Sequence, residues 1–205
     1  MADSRGDLAH DLPPGHSELI LGGQRSGKSR RAQALAAHWL AASPGHHAVL
    51  LATATASDAE MAERIRRHQR DRAGHCPDLR CVEVPLALPQ AIAQHGKADT
   101  LVVVDCLTLW LTNLLWPRQD HGSAASSLSA MDRTQQAMAA LESVIAQAPG
   151  PLVLVGNEIG QGVIPLGPQV RAFVDTLGQL NQAMARCCTR VTWMVAGLPV
   201  RVKGP

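Results

Sequence analysis

The chain has 205 residues, 46% hydrophobic and 18% charged, which suits one α/β domain large enough for a proper core. A formal net charge of +2 is too small to mark a nucleic-acid or membrane-surface binder, and four Trp, one Phe and no Tyr leave few platforms for stacking single-stranded bases. Five cysteines (Cys76, Cys81, Cys106, Cys187 and Cys188) form no CxxC pair, and an odd count without a secretion signal argues for reduced, buried thiols in the cytoplasm.

Residues 1–17 mix acidic, basic and proline residues without an apolar stretch, and are expected to form a flexible extension rather than a signal peptide. From residue 18 to 205 short apolar runs alternate with helical patterns. Strands are expected at Glu18–Leu21, Ala48–Thr53, Arg80–Val84, Thr100–Asp105, Leu152–Val155 and Val191–Ala196. Between them helices are expected over 28–42, 58–72, 86–95, 107–115, 129–147 and 168–186. Ser57 with Glu60, and Ser129 with Asp132, have capping-box spacing at two of the helix starts. The Gly/Ser-rich stretch Asp120–Ser127 reads as a surface loop. The apolar run 101–115 is interrupted by Asp105, Thr108, Thr112 and Asn113, and is too short and polar for a membrane span.

Continuous runs such as LVVV before Asp105 and LVLV before Gly156 suit parallel strands buried on both faces. The alternation predicts a three-layer α/β fold of the P-loop NTPase, RecA-like type, with a mostly parallel central sheet and ligands at the carboxyl ends of its strands.

The strongest motif is GGQRSGKS, comprising Gly22, Gly23, Gln24, Arg25, Ser26, Gly27, Lys28 and Ser29. It matches G-x-x-x-x-G-K-[ST], and a chance match in a chain of this length is on the order of 1%. An apolar strand precedes it and an Ala/Leu-rich helix follows. Glycines let successive N–H groups turn toward phosphate oxygens, and the helix N-terminus adds partial positive charge. Lys28 then reaches the β- and γ-phosphates while the Ser29 hydroxyl holds Mg²⁺. Asp105, ending the LVVV strand, has two readings: a second Mg²⁺ group, direct or through a water, or a cap for the next helix.

Nine histidines are present, and for most a surface or packing role is the default. In RIRRHQRDR, His68 has Arg64 and Arg72 one helical turn away on either side and Asp71 three residues on. Guanidinium groups there favour the neutral, nucleophilic imidazole; the competing reading is a solvated basic helix face. Asn157 and Glu158 follow the LVLV strand and either orient a hydroxyl or a metal-bound water, or simply brace their loop.

From Glu18 to Gly204 the chain resembles the bifunctional adenosylcobinamide kinase/adenosylcobinamide-phosphate guanylyltransferase family. The matching stretches are LILGGQRSGKS, RIRRHQRDR (64–72), VVVDCLTLWLTNLL (102–115), NEIGQGVIP (157–165), LGQLNQ (177–182) and VAGLPVRVKG (195–204). The resemblance implies an enzyme of adenosylcobalamin (coenzyme B12) biosynthesis that phosphorylates adenosylcobinamide with ATP or GTP. It then transfers GMP from GTP to adenosylcobinamide phosphate through a guanylyl-histidine, which falls on His68. It further implies nucleotide contacts at Gly22 to Ser29, at Thr53, Ala54 and Thr55, at Gln69, Arg70, Asp71 and Arg72, and at Glu83 and Asp105. Glu83 lies beyond AGHCPDLR, a stretch that is longer than in the family and lacks its usual tryptophan. A cytoplasmic homotrimer with a small-molecule corrinoid substrate, and without nucleic acid, is also implied. Two rivals share the P-loop: a small-molecule kinase with no covalent intermediate, and a non-catalytic nucleotide-switch module.

Overall fold

A computed structural model describes residues 15–56, 58–117 and 129–204, with only the backbone at positions 64, 67–69, 71–73 and 75. Along these residues run β1 (Ser17–Gly22), α1 (Lys28–Ala42), β2 (His47–Ala52), α2 (Ala59–His75), β3 (Arg80–Glu83), α3 (Leu88–His95) and β4 (Thr100–Asp105). There follow α4 (Leu107–Leu115), α5 (Ala130–Ala146), β5 (Leu152–Val155), α6 (Pro168–Cys187), β6 (Arg190–Val195) and β7 (Leu198–Lys203).

The strands form one sheet in the order β3-β2-β4-β5-β1-β6-β7, parallel throughout except for the β6–β7 pair. Because side chains alternate along a strand, an unbroken apolar run feeds both faces. Leu19, Val49, Leu51, Val102, Val104, Leu152 and Leu154 pack beneath α3, α4, α5 and α6. Their neighbours Ile20, Leu50, Leu101, Val103, Val153 and Val155 pack on the opposite side against Ala32, Leu35, Ala36 and Trp39 of α1. α2 lies against α1. This is the expected three-layer, mostly parallel α/β fold. Among the described residues no helix is long and apolar enough to cross a membrane.

Helix and strand ends lie close to their expected positions, and the departures have local causes. β1 begins at Ser17, a residue expected in the extension, because Ser17 and Thr189 exchange backbone and hydroxyl hydrogen bonds of 2.9–3.2 Å that tie β1 to the entrance of β6. Residues 1–14, Ser57 and the loop 120–127 lie outside the described residues. The first turn of α2 is held by Asp58, whose Oδ1 accepts from the Met61 N–H at 2.7 Å. At α5 the Ser129–Asp132 capping box forms in both directions.

β7 was not expected. Ala196 and Gly197 both have positive φ, 51° and 85°, the geometry of a two-residue hairpin turn, and the turn folds LPVRVK back on β6 as an antiparallel edge. Its proline and its exposed apolar side chains hide the strand from a burial-based reading.

A buried ion cluster fixes the frame around the first loop. Glu18, 0% exposed, accepts from Arg31 Nε of α1 at 3.0 Å, from the Thr192 hydroxyl of β6 at 2.7 Å and from Arg190 Nη1 at 3.5 Å. It thereby links β1, the helix after the loop, and β6.

Candidate active site

The chain turns from β1 into α1 over Gly22–Gly27, and steric limits explain the glycines. A Cβ on Gly22 would lie 2.6 Å from the Met194 carbonyl oxygen and 2.7 Å from Ser26 Oγ. Gly27 sits at φ 99°, where an L side chain is strained, and its Cβ would press on Gly197 Cα at 3.3 Å. The β6–β7 turn also braces the loop directly, because the Gly197 N–H donates to the Ser26 carbonyl at 3.1 Å. α1 then starts with no side-chain cap and no acidic residue in its first turn, which leaves its N-terminal field for an anion.

Lys28 is 7% exposed and its Nζ donates to the carbonyls of Gly22 at 3.0 Å and Gly23 at 2.6 Å. The loop thus curls around an ammonium group. Ser26 Oγ is buried within the curl and makes no hydrogen bond to protein. Such an orphan fits a site whose partner is a ligand. Gly23, Gln24 and Arg25 are exposed on the rim and Ser29 is half-buried at the start of the helix.

Across the sheet, Ile20 is level with Val155, Val155 with Asp105, Asp105 with Ala52, and Ala52 with Glu83. The carboxyl ends of five strands therefore form one edge. β5 stands between β1 and β4, so Asp105 is two strand spacings, about 10 Å, from β1. Asp105 is half-buried at the end of β4 and does not cap α4, whose N-cap is Cys106 without a side-chain cap bond. Burial pushes the Cys106 thiol up to about 11, with the Asp105 charge adding to it and the Lys28 charge opposing it. Glu83 lies on the same edge and is exposed.

Thr53 follows directly on β2. Its side chain is 0% exposed; the hydroxyl donates to the Cys106 carbonyl at 2.7 Å and accepts from the Cys106 N–H at 2.9 Å. The hydroxyl thereby joins the exits of β2 and β4. Asn113 completes this brace, its Nδ2 donating to the carbonyls of Thr53 at 2.8 Å and Pro85 at 3.0 Å. Ala54 and Thr55 are half-buried just beyond.

On α2, positions 64, 68, 71 and 72 fall on one helical stripe by spacing. Glu63 pairs instead with Arg66 at 2.7 Å and Arg70 at 2.9 Å, and the Arg66 hydrogen bond and charge hold its carboxyl below the usual range. Arg70, expected at the nucleotide, is 71% exposed and engaged with Glu63. For Arg66 and Arg70 the solvated-face reading describes what is seen.

The sequence alone assigns no place in the site to Gly197, Asn113, Asn181 or Thr108. Asn181 of α6 is 4% exposed and donates to the Asn157 carbonyl at 3.1 Å, while the Asn157 N–H donates to Thr108 Oγ1 at 2.9 Å. Only the Ala-Gly dipeptide at 196–197 carried a local signal, that of a turn.

Ser29 and Asp105 offer hard oxygen donors of the kind Mg²⁺ takes one or two at a time beside phosphate. Among the described residues no group of three or more His, Cys, Asp or Glu could hold a metal unaided. A cavity of about 640 Å³ opens at the opposite, amino-terminal edge of the sheet, among His46, His47, Arg80, His95 and Lys97. It is remote from the phosphate loop.

Residues 18–202 match the family described as cobinamide kinase / cobinamide phosphate guanyltransferase. The bifunctional adenosylcobalamin biosynthesis protein CobP of Pseudomonas aeruginosa is 43% identical over 187 residues, covering 91% of this chain and 97% of that protein. The bifunctional adenosylcobalamin biosynthesis protein CobU of Escherichia coli is 34% identical over 192 residues, 90% of this chain and 98% of its own. Among solved structures, flagellar accessory protein FlaH from Methanocaldococcus jannaschii superposes with a TM-score of 0.47 at 16% identity, over 98% of this chain and 85% of that one.

Proposed function

The chain belongs to the cobinamide kinase/cobinamide phosphate guanyltransferase family, and from that premise we propose that it carries out both reactions at one phosphate loop. As an enzyme of adenosylcobalamin biosynthesis it phosphorylates adenosylcobinamide with ATP or GTP, then transfers GMP from GTP to the product, giving adenosylcobinamide-GDP. The observation that carries this reading is the loop curled around Lys28, at the same sheet edge on which β4 ends with Asp105.

On nucleotide binding, Lys28 exchanges the carbonyls of Gly22 and Gly23 for phosphate oxygens, and Ser26 Oγ gains the partner it lacks. Backbone N–H groups from Gly23 to Ser29 cradle the phosphates, with Gln24 and Arg25 at the rim. Ser29 and Asp105 would hold Mg²⁺, directly or through a water, and the chemistry it would supply is neutralisation of the phosphate charge. Ala54, Thr55 and Glu83 border the nucleotide from the ends of β2 and β3; Gln69, Arg70, Asp71 and Arg72 approach it from α2. For Arg70 this requires release from Glu63. Thr53 acts through the brace it makes with Cys106.

In the kinase step the acceptor hydroxyl oxygen bonds to the γ-phosphorus as the β–γ bridge breaks. In the transferase half a ring nitrogen of His68 attacks the α-phosphorus of GTP and pyrophosphate leaves. The phosphate oxygen of adenosylcobinamide phosphate then displaces the histidine. The covalent step divides one difficult transfer into two.

A homotrimer is part of the proposal. Val195, Leu198 and Val200 share one face of the β6–β7 hairpin and are exposed, an apolar patch of the kind subunit contacts cover. A cytoplasmic location follows from the biosynthetic role.

The test is incubation with α-labelled GTP and Mg²⁺. Acid-labile label should appear on the protein and be absent in His68→Ala, and adenosylcobinamide should gain first phosphate and then GMP by mass. Undiminished labelling of His68→Ala refutes the assigned nucleophile.

A further inference from the structure

Resting on the kinase reading above, we infer that Glu158 is the catalytic base of the phosphoryl-transfer step, taking the proton from the attacking acceptor hydroxyl. The sheet order is the first support. β5 lies between β1 and β4, so the chain leaving Val155 emerges between the phosphate loop and Asp105. There the Glu158 N–H donates to the Gly22 carbonyl at 3.2 Å, the same oxygen that receives Lys28 Nζ at 3.0 Å. Glu158 is therefore one shared carbonyl away from the ammonium that meets the terminal phosphates.

The carboxylate is also held. Oε1 accepts from the Gly160 N–H at 3.0 Å and Oε2 from Asn181 Nδ2 at 3.4 Å. Two of its roughly four lone-pair positions are thus used for orientation, leaving acceptor capacity on a half-buried side chain. Asn181 is 4% exposed and its Oδ1 has no partner, a cost the fold bears while Nδ2 braces Asn157 and Glu158 together. Gly156 permits this closeness, since a Cβ there would lie 3.0 Å from Leu21 Cδ2 and 3.3 Å from Asn181 Oδ1.

The segment after Glu158 points to the class of acceptor. Ile159, Val163, Ile164 and Leu166 are all exposed in one short stretch that contains Gly160 and Gly162. An acceptor with a large apolar body and a hydroxyl on a side arm would cover these side chains while its oxygen reached the carboxylate. As the oxygen bonds to the γ-phosphorus and the nucleoside diphosphate leaves, its proton passes to Glu158, and from there to solvent.

The experiment compares wild-type, Glu158→Gln and Glu158→Asp with adenosylcobinamide, ATP and Mg²⁺, product being followed by mass. Glu158→Gln should lower kcat about 100- to 10,000-fold, the usual reach of general-base catalysis. The acceptor KM and the Kd of a fluorescent ATP analogue should stay within about threefold. The acidic limb of the wild-type kcat/KM pH profile should vanish in Glu158→Gln, and Glu158→Asp should recover part of the rate. A Glu158→Gln enzyme within fivefold of wild-type, or one that loses nucleotide affinity in step with turnover, overturns the assignment. Wild-type protein that forms no phosphorylated acceptor removes the kinase reading and the base with it, a result distinct from an active variant.

Discussion

Replacing Glu18 by Gln should destabilise the protein far more than a surface charge change would. Glu18 is fully buried, and its two cationic partners, Arg31 and Arg190, have side chains only 9% and 5% exposed. Gln preserves shape and some hydrogen bonding, but leaves two guanidinium groups without a counter-charge in a region that water does not reach. Breaking a buried ion cluster from one side typically costs about 3–5 kcal/mol, most of it the penalty of the stranded charge. Arg190 starts poorly satisfied, since its Nε is unpartnered and its bond to Glu18 is 3.5 Å, which places the expected loss within that range rather than above it. For a chain of this size each kcal/mol moves the melting point by about 2–4 °C, so thermal unfolding should drop by roughly 6–20 °C. Differential scanning calorimetry and urea unfolding give the two measures. The triple replacement Glu18→Leu, Arg31→Met, Arg190→Met removes all three charges together and should recover at least half the loss, because apolar packing often matches a buried ion cluster. A Glu18→Gln melt within about 2 °C of wild-type refutes the reasoning, as does a triple variant no more stable than the single one.

Lys28→Ala should weaken binding of a fluorescent ATP analogue by roughly 10- to 150-fold, the loss of a charged hydrogen-bonding partner worth about 1.5–3 kcal/mol; an unchanged Kd would remove the lysine from the phosphate site. Burial raises the thiols of Cys106 to about 11 and Cys188 to about 12, so both stay protonated at pH 8, and in native protein iodoacetamide should modify the exposed Cys81 well before either. The unfolded chain forms these thiolates at lower pH than the native one. Their effect on stability is therefore nil below about pH 9 and grows as pH rises toward 11 and 12, where the melting point should fall. A Cys106→Ala, Cys188→Ala double variant should flatten that alkaline decline; an identical slope would sink the explanation.

Local chemistry carried most of the element pattern. Six strands and six helices were legible because each apolar run or helical period is written in residues adjacent in the chain. The loop from Gly22 to Ser29 was legible for the same reason: the glycines, lysine and serine act within one turn of chain. The Ser129–Asp132 cap is equally self-contained. β7 escaped notice, since its side chains are not sorted between core and solvent and only its partner β6 makes it a strand.

What the sequence determined by itself is the alternation of elements, the two-sided burial of the strands and the identity of the phosphate loop. Each depends on residues adjacent in the chain. Tertiary structure alone decided that β5 separates β1 from β4, that Thr53 is joined to Cys106, that Gly197 braces Ser26, and that Asn181 holds Asn157 and Glu158 beside Gly22. These contacts join residues from 23 to 171 positions apart, for example Asn181 to Glu158 and Gly197 to Ser26. Their hydrogen bonds form only once the strand order has made those exits neighbours, and no local propensity encodes that order.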